Sequence, residues 1–430
     1  MNRQEKAPQP EKPTPPPVGE KEAQKKPAGW RAALNVILLP FLAIVTALIF
    51  SSVFIIISDT ELLNLWRDFF NAPSIAIAAS LEKLKISYGA LLSGGLGDPA
   101  RIWHGLQVWL KTGDKQELIA SLEGIDRTLV YSTPYIFAGL AVALGFRCGL
   151  FNIGVEGQLF VGAMAATYVG YSIKGLPMLI HLPLALTAGA LAGALWSAIA
   201  GFLKAYTGAH EVVTTIMLNY VAFRLSDYML TGPMKRSGFN PVSPPVEKSA
   251  WLPKLAPDPL RFHAGFFLAL AVAYFVYWFL WKSTWGFEIR TVGANPSAAK
   301  YAGISIPKNF ILAMAISGAL AGLSGTSEIL GVNHFMAQAF SSGYGFDSIA
   351  LALLGKSHPL GVVLASLLWG FLRAGATRMQ SAAGIPIDIV QIIQGMVIVF
   401  VAAPALVRMI WRIRAIAEEG ETIFTRGWGT

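Results

Sequence analysis

Thr291-Val-Gly-Ala-Asn-Pro-Ser-Ala-Ala-Lys-Tyr-Ala-Gly-Ile-Ser-Ile-Pro307 is a polar, small-residue segment between two long apolar runs, and the reading of the whole chain turns on it. Asn295 suits a helix N-cap, Pro296 the first helical position, and Gly303 the position just past a helix end. The pattern predicts a helix of about seven residues, too short to be stable alone in water. Ala298, Ala299, Tyr301 and Ala302 make up most of its surface, so another surface can come close. Lys282, Arg290, Lys300 and Lys308 lie in or beside the segment against one acid, Glu288. That excess of positive charge places it on the cytoplasmic side of a membrane. Such a segment is either a capped helix that receives a partner or an ordinary interhelical turn.

The composition supplies the membrane. Of 430 residues, 54% are hydrophobic and 14% charged, whereas a soluble domain carries about a quarter charged residues. Several apolar runs reach about twenty residues, the length that crosses a bilayer as helix. The fold class is therefore all-α, a polytopic transmembrane helical bundle in contact with membrane lipid. The net charge of +9 does not signal nucleic acid, because Lys and Arg cluster at the ends of apolar runs, where cytoplasmic anchors belong. Cys148 is the one cysteine, which excludes an intrachain disulfide framework and a Cys-rich metal site. Neither a metal nor a cofactor is expected. The first apolar run starts near Leu34 and is too long for a signal-peptide core.

Taken in order, residues 1–29 are rich in Pro, Lys, Glu and Gln and read as a disordered cytoplasmic tail. Residues 30–58 hold a first span leading outward. Residues 59–128 mix apolar pieces with acids and bases and read as amphipathic helices on the outer surface, with a partial re-entrant piece near Tyr88 to Leu96. Residues 129–408 form the main transmembrane domain, and residues 409–430 a cytoplasmic C-terminal tail. Spans are expected at about Leu129–Gly145, Leu159–Ile173, Leu184–Leu203, from Glu211 to Leu230, His263–Trp281, Phe310–Leu330, Ile349–Leu354, Gly361–Gly375 and Ile385–Ala403. With the first, that gives about ten spans and both termini cytoplasmic. Arg373 and Arg378 fall on the outer side in this scheme, against the positive-inside trend. Gly189 and Gly193 have the spacing that lets two membrane helices pack closely.

Two stretches interrupt the apolar pattern with polar groups. Phe146-Arg-Cys-Gly-Leu-Phe-Asn-Ile-Gly-Val-Glu-Gly-Gln158 sets Arg147, Phe151, Asn152, Glu156 and Gln158 among three glycines. Ionisable groups at membrane depth are costly unless they face protein or a water-filled cavity. The stretch reads as a broken helix lining a path, or as a short cytoplasmic turn with an Arg147–Glu156 ion pair. Gly331 to Phe346 is similar and carries Asn333, His334 and Phe335. Asn219 adds an amide inside a span, as a path residue or as a helix–helix hydrogen bond.

Three motifs are decoys. Ser93-Gly-Gly-Leu-Gly97 resembles a phosphate loop but follows no strand, so a turn is expected. His210-Glu-Val-Val-Thr214 opens like a zinc-protease helix and lacks the second histidine. Ala350-Leu-Ala-Leu-Leu-Gly-Lys-Ser357 fits a relaxed Walker A pattern, yet an apolar helix precedes it instead of a strand and loop.

Three stretches carry a family resemblance: Phe151-Asn-Ile-Gly-Val-Glu-Gly-Gln158, Glu211-Val-Val-Thr-Thr-Ile-Met-Leu-Asn-Tyr220, and Gly293-Ala-Asn-Pro-Ser-Ala-Ala-Lys-Tyr-Ala-Gly303. From about Ser132 to Arg408 the chain resembles permease subunits of bacterial ABC importers, in the branch for nucleosides and simple sugars that works with a basic-membrane-protein-type lipoprotein. Ribose-type and branched-chain amino-acid-type permeases share the third stretch. The resemblance implies an ABC importer permease fold in the plasma (inner) membrane and no catalysis by this chain. It further implies an ATP-binding-cassette ATPase subunit, a second homologous permease and an extracytoplasmic substrate-binding lipoprotein as partners. It makes Gly293, Asn295, Pro296, Ala299, Tyr301 and Gly303 the helix that couples to the ATPase. A translocation path would then run past Phe151, Asn152, Glu156, Gln158, Asn219, Asn333 and Phe335. The rival class is an ion-coupled secondary transporter of a small polar solute, with Glu156 or Glu328 as its buried acid.

Overall fold

A computed structural model describes residues 29–413. The expected N-terminal tail and most of the C-terminal one, Arg414 included, lie outside the described residues. The helices in chain order are α1 (Gly29–Ile57), α2 (Thr60–Arg67), α3 (Pro73–Leu96), α4 (Pro99–Thr112), α5 (Gln116–Ser121), α6 (Glu123–Arg147), α7 (Val155–Ser172), α8 (Met178–Thr207) and α9 (Glu211–Thr231). Then follow α10 (Gly265–Lys282), α11 (Thr284–Ala294), α12 (Pro296–Tyr301), α13 (Ile306–Glu328), α14 (Tyr344–Leu354), α15 (Pro359–Ala383), α16 (Ile387–Ala402) and α17 (Pro404–Ile410). Among the described residues, β pairing is limited to two isolated bridges, Val242 with Ala337 and Lys254 with His263.

Among the described residues, six segments are long and apolar enough to cross a membrane: Leu38–Ile57, Glu123–Arg147, Met178–Thr207, Gly265–Lys282, Ile306–Asn333 and Pro359–Ala383. A seventh arises if Asp388–Ala402 and Pro404–Ile410, bent by 90° at their junction, count as one. The expectation of about ten spans therefore exceeds what length and apolarity alone give. The shortfall has a physical reason. α7 opens with Glu156 and Gln158, α9 carries Glu211, Arg224 and Asp227, and α14 is only 11 residues long.

The bundle is organised around α6 and α13, the most enclosed of the long helices. α13 packs along α8, α6 and α7. Its contact with α8 needs small residues, since a Cβ on Gly193 would strike the Gly318 carbonyl and one on Gly322 would strike that of Gly189. This close approach of two backbones is what the glycine spacing on α8 is for.

The segment between α1 and α6 departs from a set of purely surface helices. α3 is one continuous 24-residue helix that lies along α15. Ser93 to Leu96 form its last turn, and the chain leaves the helix only at Gly97, whose φ is 77°. Gly94 and Gly95 stay helical because they seat α3 against Gly375 and Phe371 of α15. Tyr88 Oη donates to the Leu48 carbonyl at 2.5 Å, and Thr128 Oγ1 to that of Gly95 at 2.7 Å, tying α3 to α1 and α6. α4 leaves Trp103 and Leu110 exposed.

At the end of the bundle where α9 stops and α10 begins, the long loop after α9 straps onto the α13–α14 connection. Ser243 N donates to Met336 O at 2.9 Å, Val246 N to His334 O at 2.8 Å, and Leu252 N to Leu330 O at 2.9 Å. Trp251 stacks on His334 at 3.7 Å. Asp126, at the start of α6, accepts from the Arg261 and Phe262 amides at 2.8–3.1 Å and so fixes the entry to α10.

Candidate functional site

The segment that opened the sequence reading folds as its capping residues dictate. Asn295 is extended, with φ −160°, and its Oδ1 accepts from Ala298 N at 3.1 Å. Pro296 begins α12, and Gly303 takes the left-handed conformation, φ 78°. The helix has six residues. Its accessible face holds Pro296, Ala298, Ala302 and above all Tyr301, which is 95% exposed. Ala299 does not belong to that face: it is fully buried, underneath the helix, where Ile304 N closes onto its carbonyl at 3.0 Å. Gly293 likewise turns inward. A Cβ there would meet the backbone of Arg147, Cys148 and Gly149, so α11 rests directly on the inner end of α6.

The connection between α6 and α7 and the first turn of α7 carry four of the seven expected path residues, and the structure gives two of these, together with Asn219 of α9, another task. Asn152 is fully buried and donates to Gln158 Oε1 at 3.0 Å and to Ser317 Oγ of α13 at 2.9 Å. Its Oδ1 accepts from Gly154 N at 2.9 Å and from Gln158 Nε2 at 3.0 Å. Asn219 of α9 accepts from Gly157 N at 2.8 Å and donates to Ile153 O at 3.0 Å. Ser317 Oγ continues to Ala141 O of α6 at 2.6 Å. These amides close on one another and on backbone groups freed by the helix break. Irregular backbone at membrane depth is tolerated when buried in this way. Asn152, Gln158 and Asn219 are thus spent inside the chain and do not present free groups to a path. Phe151 is half-buried, its ring tilted against Phe146 at 5.3 Å. Arg147 does not reach toward Glu156. It donates to Ser357 O at 2.9 Å and Lys356 O at 3.1 Å, and its guanidinium lies over Trp281 at 5.1 Å.

Glu156 belongs to a second, more open cluster. Its Oε2 accepts from Gly345 N, at the start of α14, at 2.5 Å. Two residues on, Asp347 Oδ2 accepts from Tyr135 Oη at 2.7 Å, and Tyr135 lies midway along α6. Arg373, near the middle of α15, donates through Nη1 to the same Tyr135 oxygen at 2.7 Å. The Arg373 guanidinium lies 4.9 Å from the Tyr344 ring, 5.5 Å from Tyr131 and 5.9 Å from Tyr135, all within cation–π reach. Tyr135 and Tyr344 pack edge to face at 4.9 Å. Tyr135, Tyr344 and Glu156 are buried, whereas Tyr131, Asp347 and Arg373 are half-buried and reach the surface of the bundle. Sequence reasoning named Glu156 here and missed Tyr135, Asp347 and Arg373. The signal it held was the misplaced positive charge of Arg373.

Nearer the strapped loop, Asn333 donates to Glu328 Oε1 at 3.3 Å, and Phe335 is 38% exposed within that loop. His263 lies below that loop, buried, with Nδ1 accepting from Gly265 N at 3.2 Å. Burial pushes its imidazole down to about 4, helped by His334 beside it.

A bundle of apolar helices with a polar centre, and a capped helix offered at one end, has the makings of a multi-pass membrane protein. The chain belongs to the family described as the branched-chain amino acid transport system permease component, which matches residues 124–402. It is 45% identical over 291 residues to a guanosine ABC transporter permease protein of Bacillus subtilis, covering 66% of this chain and 83% of the relative. It is 39% identical to a glucose ABC transporter permease protein of Haloferax volcanii, over 66% of this chain and 77% of the relative. With a nucleoside ABC transporter permease protein of Lactococcus lactis it shares 34% identity, over 68% and 82%. No solved structure matches. The chain is the permease subunit of an ABC transporter, a multi-pass protein of the inner membrane that is a transport component and works with an ATPase and a binding protein.

Proposed function

We propose that this permease imports a nucleoside or a simple sugar, delivered by an extracytoplasmic substrate-binding lipoprotein and driven by a separate ATPase. The observation that carries the proposal is α12: a short helix made rigid by its Asn295 cap, anchored through Gly293 and Ala299, with Tyr301 fully presented. A partner that pushes on Tyr301, Pro296 and the Gly303 turn moves α11 and, through Gly293, the inner end of α6. The cargo named for the relatives, guanosine, other nucleosides and glucose, supports the cargo class.

In this reading the chain crosses the membrane about ten times, as α1, α6, α7, α8, α9, α10, α13, α14, α15 and α16, with both termini cytoplasmic. A second homologous permease covers the face where Tyr131, Asp347 and Arg373 emerge, and the path runs between the two. Glu156, Phe151, Asn333 and Phe335 border that path. The strapped outer loops around Thr231 to Arg261 and Gly331 to Phe346 receive the binding protein. No covalent chemistry takes place in the chain. ATP binding closes the ATPase, α12 follows, and the path changes the side to which it opens.

Uptake by the reconstituted complex tests this. Import requires ATP, the ATPase and the binding protein, and persists when proton and sodium gradients are collapsed. Uptake driven by a gradient without ATP overturns the proposal in favour of a secondary transporter using Glu156 or Glu328.

A further inference from the structure

We infer that Arg373, held among Tyr131, Tyr135 and Tyr344, is a contact for the planar base of a nucleoside in transit, and that it ranks a base-bearing cargo above a bare sugar. The inference rests on the import reading above and names the cargo class at its centre.

A charged side chain in the middle of a membrane helix is costly unless it faces protein or water. Arg373 is half-buried, and among the described residues its one hydrogen-bond acceptor is the phenol oxygen of Tyr135. A guanidinium carries five N–H donors. The neighbouring carboxylate, Asp347, accepts from Tyr135, and Glu156 accepts from Gly345. The cluster therefore still offers donors from Arg373 together with aromatic faces.

That remainder selects a chemistry. Sugars present rings of hydroxyl groups, which free carboxylates and amides hold best by accepting. Asn152 and Gln158 are paired with each other, and Asp347 and Glu156 each already accept one hydrogen bond from within the chain. A nucleobase instead presents carbonyl oxygens and ring nitrogens, which accept, on a flat π face that stacks on tyrosine or on guanidinium. Three rings within 6 Å hold the Arg373 plane so that little side-chain freedom is lost when an acceptor arrives. One forked contact of this kind is weak enough for release, as a conducting site must be.

The test uses the full complex of both permeases, ATPase and binding protein in proteoliposomes, with labelled guanosine and labelled glucose. Arg373→Lys keeps the charge and loses the fork, and Tyr131→Leu removes a ring that Tyr131→Phe retains. Arg373→Lys is expected to lower kcat/KM for guanosine about tenfold, the worth of a charge-assisted hydrogen bond. Tyr131→Leu is expected to lower guanosine kcat/KM in the same direction, and Tyr131→Phe, which keeps the ring over the guanidinium, to rescue it. Unchanged guanosine uptake by Arg373→Lys overturns the inference, as does an equal loss for guanosine and glucose. Failure of the Arg373→Lys chain to co-purify with the second permease also overturns it and makes Arg373 an assembly contact. A wild-type complex that moves glucose alone overturns the inference and leaves the import reading standing. A wild-type complex with no ATP-driven uptake fails the import reading itself, before any variant is compared.

Discussion

Two groups of polar side chains lie inside the bundle, and they are finished differently. Around Asn152 the amides of Gln158 and Asn219, the Ser317 hydroxyl and the backbone of the α6–α7 break pair with one another. Around Arg373 the pairing stops short, and Tyr131, Asp347 and Arg373 itself reach the surface. Both groups carry a similar polarity into the membrane. The closed one stabilises the chain, because every buried donor it contains would be costly if left alone. The open one leaves groups for something outside the chain to meet. Satisfaction of hydrogen bonds, more than the presence of polar residues, separates scaffold from site.

That distinction yields a scale of effects on thermal unfolding of the detergent-solubilised protein. Asn152→Leu heads it. The change strands Gly154 N–H and the Gln158 amide, each worth about 1–3 kcal/mol when left unpaired, and leaves the Ser317 hydroxyl only its bond to the Ala141 carbonyl. The variant is expected to be scarcely recoverable from membranes, and a wild-type melting temperature would break the description of this group as closed.

His263 is a closed polar group that can titrate. Its folded-state pKa of about 4 lies below the ordinary 6.5. Above about pH 6.5 the imidazole is neutral in both folded and unfolded chains, and its burial is tolerated. As the pH falls toward 4 the unfolded chain takes up the proton and the folded chain does not, so stability is lost across that window. The loss amounts to at most about 3 kcal/mol. His263→Gln should flatten the pH dependence of unfolding between pH 6.5 and 4, and an unaltered slope would refute the assignment.

Tyr135→Phe comes third. It removes the one hydroxyl that joins Asp347 to Arg373 and should cost about 1 kcal/mol, read as a small drop in melting temperature. A loss as large as that of Asn152→Leu would mean the Arg373 cluster is also scaffold. Tyr301→Ala is last on this scale, with no measurable shift, since the side chain is 95% exposed. It should nonetheless weaken association with the ATPase about tenfold, measured by co-purification titration, as expected of a large aromatic at the centre of an interface. Wild-type association would remove α12 from that interface.

The sequence disclosed what is local. Asn295, Pro296 and Gly303 fall within one short segment and state their own roles, and α12 matches the expected helix closely. It did not disclose which side of so short a helix turns inward, hence the misplaced Ala299. Asn152, Gln158 and Asn219 stood out as polar groups among apolar neighbours. Their purpose depends on Ser317, 165 positions from Asn152, and no spacing reveals that partner. Tyr135 meets Asp347 across 212 positions and Arg373 across 238. Only the folded bundle brings those three together, although the unexplained charge of Arg373 was visible from the start. The expected ten crossings stand above the six or seven segments long and apolar enough among the described residues, because α7 and α9 carry polar groups and α14 is short.

The turn between α14 and α15 holds two successive residues, Lys356 and Ser357, at φ 51° and 49°. Side-chain-bearing residues resist that left-handed shape, each at a cost of about 1–2 kcal/mol. The Arg147 guanidinium grips both of their carbonyls, and the backbone of Arg147 in turn bears on Gly293 without a side chain between them. Under the import reading proposed above, a push on α12 would travel through these contacts to the foot of α14, whose head carries Asp347, and Arg147 would serve as the fulcrum of a lever.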